Sequence, residues 1–185
     1  MWSELVFLYD KYEEYDNAVL TMMAHPTEAW KESLFKEVIA KVANIELYYR
    51  ALTFYLDHKP LLINDLLIVL TPRLDHTRCV SFFTRAGHLK LVKPYLRTVQ
   101  TNNNKAVNEA LNQVLIEEED YEGLRKSIDS FENFDTIALA QQLEKHELLE
   151  FRRIGAYLYK NNNRWAQSVE LCKRDKLYKV SVMTS

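Results

Sequence analysis

The segment "PRLDHTRCVSFFTRAG", residues 72–87, gathers residue types that could do chemistry. Asp75, His76 and Cys79 fall within five residues, with Arg78 and Arg85 in the same stretch. A His and a Cys at i and i+3 share one helix face, which is the spacing of a metal-ligand pair. Zinc takes four ligands, however, and no second Cys/His pair lies nearby; His146 and Cys172 stand isolated. The competing account is structural. Asp75 caps a helix, His76 is exposed in its first turn, and Cys79 is a small core residue beside Val80 and Phe83. That account is preferred, so no catalytic, cofactor-binding or metal-binding residues are assigned. The chain has no nucleophile elbow, Walker loop, dinucleotide fingerprint or His-Glu-x-x-His. It reads as a non-enzyme.

Two other stretches carry candidate binding or modification chemistry. In "YLDHKPLLINDLL", Lys59 sits in an expected hairpin turn beside His58, at the negative end of the preceding helix. A partner's acidic segment could use it. In "EEEDYEG", residues 117–123, four acids precede Tyr121, a context that suits tyrosine kinases. The structural alternative is that those acids complement a helix dipole while Tyr121, Leu124, Ile128 and Phe131 line the core.

The elements that must position these residues are helical. The chain has 185 residues, 48% of them hydrophobic and 27% charged, which is a folding composition. It contains three glycines where average usage would give roughly thirteen. Net charge is −2 with the signs interspersed, which leaves no basic stripe for nucleic acid. No run approaches the roughly 18–20 apolar residues of a bilayer span, and "MWSELVFLYDKYEEYD" lacks the basic lead of a signal peptide. Cys79 and Cys172 suit reduced cytosolic thiols.

Helices are expected over about 28–42, 45–58, 60–70, 76–86, 89–100, 104–117, 120–131, 135–145, 147–160 and 163–175, joined by short polar turns. Asn44 and Asp75 are expected N-caps and Gly87 a left-handed C-terminal residue. In the first of these helices, Trp30, Leu34, Val38 and Val42 are expected on one face. Helix 45–58 is apolar on two faces, Ile45, Tyr48, Leu52 and Tyr55 on one and Leu47, Ala51 and Phe54 on the other. A helix sandwiched between neighbours needs both. "NNNKAVNEAL" at 102 echoes "NNNRWAQSVEL" at 161, two hairpins further on. The fold class expected is all-α, an α-solenoid of stacked antiparallel helical hairpins.

The stretches "ELVFLYDKYEEYDNA", "KVANIELYYRAL", "KPLLINDLL", "PRLDHTR", "LVKPYLR", "NFDTIALAQQLEKHELLEFRRI" and "RWAQSVELCKRDKLYK" resemble the proximal leg of the clathrin heavy chain family. The resemblance runs over about residues 2–179. It implies that residues 1–65 end one leg repeat, that 66–179 form most of the next, and that the tail 180–185, "VSVMTS", departs from the family. It implies a non-enzymatic coat segment without cofactors, at the cytoplasmic face of coated pits and vesicles, serving vesicle-mediated transport and endocytosis. The implied partners are clathrin light chains and other heavy-chain legs in a lattice, with no nucleic acid and no membrane insertion. By the same resemblance, Lys59 matches a basic residue facing acidic light-chain positions, and His76 matches a histidine of pH-sensitive contacts. The family's hub segment is absent, so the chain by itself is expected to be monomeric, a truncated product whose end helices fray. The alternative function is a helical-repeat adaptor binding peptides, although the tetratricopeptide signature is missing.

Overall fold

A computed structural model describes residues 1–175, which contain twelve α-helices and four short 3-10 turns; no strand occurs among them. The tail 180–185 lies outside the described residues. The chain divides into two compact units, Met1–Val99 and Gln100 onward. Among the described residues, no helix is long and apolar enough to cross a membrane.

The first unit holds α1 (Trp2–Lys11), α2 (Tyr15–Ala24), α3 (Glu32–Ile39), α4 (Ile45–His58), α5 (Ile63–Leu70), α6 (His76–Ala86) and α7 (Lys93–Val99). Helix α4 is buried on two sides, through Leu47, Tyr48, Tyr49, Ala51, Leu52, Phe54 and Tyr55. That is the sandwiched helix its sequence implies, except that Ile45, at its first turn, is 47% exposed. Asn44 caps α4 through Glu46 N–H, and Asp75 caps α6 by accepting from Thr77 and Arg78 N–H. Gly87 ends α6 at φ 75°, a conformation with little steric cost only for glycine.

Two expected helices are shorter or broken. The helix anticipated over 28–42 begins only at Glu32, because Lys31 is extended and Trp30 turns inward against α4. It ends at Ile39, and the Val42 carbonyl is taken instead by the Tyr48 hydroxyl and by Arg73 Nη1 at 3.1 Å. Its buried face is Phe35, Val38 and Ile39, with Val42 buried beyond its end, so Leu34 lies off the stripe expected from the sequence. The segment 60–70 splits into a 3-10 turn, Pro60–Leu62, and α5. Likewise a 3-10 turn, Lys90–Val92, precedes α7.

The second unit holds α8 (Lys105–Glu117), α9 (Tyr121–Ser130), α10 (Thr136–Leu143), α11 (Leu149–Asn161) and α12 (Trp165–Arg174). Helix α8 packs on α9, α10 on α11, and α11 on both α12 and α9.

Three helix–helix corners share one backbone device. Glu13, Glu119 and Asn163 have φ of 61°, 57° and 60°, each two residues before the next helix. At each, the N–H after the left-handed residue returns to a carbonyl five residues back: Glu14 to Tyr9, Asp120 to Leu115, and Arg164 to Tyr159. These bonds satisfy the orphan carbonyls of the ending helix, as in a Schellman motif. An aromatic residue then opens the next helix: Tyr15, Tyr121 or Trp165. Glutamate in a left-handed conformation costs about 1 kcal/mol. Glu119→Gly is therefore expected to stabilise the second unit by about 0.5–1 kcal/mol, read as an upward shift of its urea midpoint.

Candidate partner-binding surface

Lys59 follows α4 and is half-buried; its backbone N–H donates to the Tyr55 carbonyl at 2.8 Å. The side chain folds back so that Nζ lies 5.0 Å from the centre of the Trp30 ring. Trp30 is itself held edge-on to Tyr55 at 5.8 Å and tilted against Phe35 and Phe54 at 6.2 and 6.1 Å. An ammonium over an indole face gains about 0.5–1 kcal/mol when exposed, without losing its charge. The aromatic cluster thus holds the cation at one place beside an exposed turn, in which Leu61 is 89% exposed.

His76 is not exposed as its sequence position suggests. It is half-buried, and its Nδ1 is 2.6 Å from the Tyr95 hydroxyl on α7. The Cys79 thiol, one turn along, is fully buried. Burial pushes that thiol up to about 11, so it is not a nucleophile near neutral pH. The spacing that resembled a metal-ligand pair sets His76 against the Tyr95 hydroxyl and Cys79 in the core. Among the described residues, no three His, Cys, Asp or Glu side chains converge on a point.

Burial lowers the His76 pKa below its ordinary 6.5, against a smaller opposing pull from Asp75. Below 6.5 the unfolded chain takes up a proton that the folded chain resists. The His76 contribution is therefore full above about pH 6.5 and is lost as pH falls through the folded value. Urea midpoints measured from pH 7 to 5 are expected to fall, and His76→Gln to flatten part of that slope.

Tyr121 opens α9 and is 39% exposed, so it does not belong to the core stripe; Leu124 and Ile128 alone are buried on that helix. Its ring meets Phe151 edge-on at 6.3 Å. The acids before it divide by role. Glu117 ends α8, Glu119 is the left-handed corner, and Asp120 caps α9 by accepting from Gly123 N–H at 2.9 Å. Asp120 is thus the upstream acid that caps the helix start. Gly123 permits this, since a Cβ there would stand 2.4 Å from Asp120 Oδ2.

Lys59 and His76 thus have separate partners, Trp30 and Tyr95, and Tyr121 belongs to the second unit. Trp30 and Tyr95 were not legible as partners because they lie 29 and 19 residues away, and each reads as an ordinary apolar helix residue.

The clathrin family profile, described as a region in clathrin and VPS, matches residues 1–63 and 67–184. The chain belongs to the clathrin repeat family. It is 76% identical over 179 residues to the clathrin heavy chain of Drosophila melanogaster, covering 97% of this chain and 11% of that protein. Clathrin heavy chain 2 of Homo sapiens is likewise 76% identical over 179 residues, with the same coverage. The clathrin heavy chain of Dictyostelium discoideum is 63% identical over 184 residues. The chain therefore spans about a tenth of the length of these curated relatives. Stacked helices without strands among the described residues are the α-solenoid architecture of clathrin repeats.

Proposed function

We propose that the chain is a structural, non-enzymatic leg segment of the clathrin coat that docks a clathrin light chain and contacts neighbouring legs in the lattice. The reading rests above all on the identity of about three residues in four with clathrin heavy chains over nearly its whole length. Residues 1–65 end one leg repeat and 66–179 form most of the next, serving vesicle-mediated transport at the cytoplasmic face of coated pits.

Lys59 is the light-chain contact. Its ammonium is held over Trp30 at the end of α4, where an acidic helix can approach the turn. A cation positioned before the partner arrives loses less side-chain freedom on binding than a mobile one. His76 is a pH-sensitive contact: protonation puts a charge beside the Tyr95 hydroxyl. Tyr121 is a tyrosine-phosphorylation site, favoured by its exposure and by the acids that precede it.

Calorimetric titration of the folded chain with a clathrin light chain tests the central claim. Saturable binding is expected. A folded chain that binds none of it would remove light-chain docking from this segment.

A further inference from the structure

Beside Tyr121, a concavity of about 400 Å³ lies between α9 and α11. Arg125 and Lys126 enter it from α9 and Arg153 from α11, together with the acids Glu122 and Glu150. Arg125 lies one helical turn beyond Tyr121, on the same face. Its guanidinium stacks over the Tyr157 ring, 3.4 Å from the centroid, and pairs with Asp129 at 3.1 Å. Arg153 pairs with Glu150 at 3.6 Å, and both side chains are nearly half exposed. Exposed pairs of this kind are weak and exchangeable. A phosphate dianion offers arginine more charge and more acceptor oxygens than a carboxylate.

We propose that this concavity is an internal receptor for a phosphate carried by Tyr121: once phosphorylated, Tyr121 engages Arg125 and Arg153 and ties α9 to α11. The proposal rests on Tyr121 as a modification site and adds what the modification does. A tyrosine kinase would move the terminal phosphoryl group of ATP to the Tyr121 phenol oxygen. The bond from that phosphorus to ADP breaks, the bond to tyrosine forms, and the phenol proton is released. The new group then lies in the first turn of α9, where the helix dipole favours negative charge. The acids Glu122 and Glu150 in the concavity, Asp120 before Tyr121 and Asp129 paired with Arg125 oppose it, and Arg125, Lys126 and Arg153 must exchange those carboxylates for the phosphate. Phosphorylation thereby stiffens the second unit, since the two cations come from different helices.

Phosphotyrosine installed at position 121 during translation gives a direct test that needs no kinase. Phosphorus NMR would follow the second ionisation of the phosphate, about 6 in a free phosphotyrosine, in the folded and the urea-unfolded chain. Capture by the arginines is expected to lower it by about half a unit or more in the folded chain. Arg153→Gln should return most of that shift and Arg153→Lys only part of it. Amide exchange in α9 and α11 should slow on phosphorylation and recover with Arg153→Gln. Equal ionisation in folded and unfolded chains, a rise caused by the neighbouring acids, or a shift indifferent to Arg153→Gln would each overturn the receptor. Phosphopeptide mapping in cells separately tests whether Tyr121 is modified at all.

Discussion

Phe35→Ala is expected to destabilise the first unit by about 3–5 kcal/mol, the usual cost of emptying a phenylalanine site in a packed core. Phe35 is fully buried and sits 5.6 Å from Tyr55, 6.2 Å from Trp30 and 6.2 Å from Phe54. Phe54 and Tyr55 cannot collapse into the space without dragging α4, so the cavity would persist. A domain is stable by only about 5–15 kcal/mol, so the loss takes a large part of the total. Urea unfolding followed by tryptophan fluorescence reads it directly, because Trp30 belongs to the cluster. Phe7→Ala on α1 is the control: its side chain is 66% exposed, and the change should stay within about 0.5 kcal/mol. If Phe35→Ala cost no more than Phe7→Ala, the aromatic cluster would not be the centre of that unit.

The second large effect concerns recognition. In the light-chain titration, Lys59→Glu is expected to weaken binding about 10- to 100-fold, roughly 1.4–2.7 kcal/mol. Two losses combine: an acidic partner residue meets a like charge, and the carboxylate has no favourable place over the Trp30 face. Lys59→Gln should fall between, since it removes the attraction without adding repulsion. Raising salt should narrow the gap between wild type and variant, as it does for exposed charges. Binding of wild-type strength in Lys59→Glu would move the light-chain contact elsewhere on the chain. A chain that remains folded but binds no light chain at all would instead discard the docking reading.

Much of the local structure was legible from local chemistry. Asn44 and Asp75 cap where their side-chain oxygens reach N–H groups two or three residues on. Gly87 ends α6 because a left-handed residue was required there. The two apolar faces of α4 follow from helical periodicity, which needs nothing beyond the segment itself. Where expectation failed, the competing interaction came from far along the chain. Trp30 did not enter a helix because its indole packs against α4.

The sequence by itself determined that the chain is helical, where most helices start and stop, and, through its collinear segments, which family it belongs to. Those properties depend on backbone propensity, capping and patterns short enough to read in place. Only the tertiary structure decided what the candidate residues do with their surroundings. It set Lys59 over Trp30, turned His76 toward the Tyr95 hydroxyl, and placed Arg153 and Tyr121, from different helices, around one concavity. Such pairings arise from the packing of whole helices, which depends on every buried side chain at once. No spacing within a single segment encodes them.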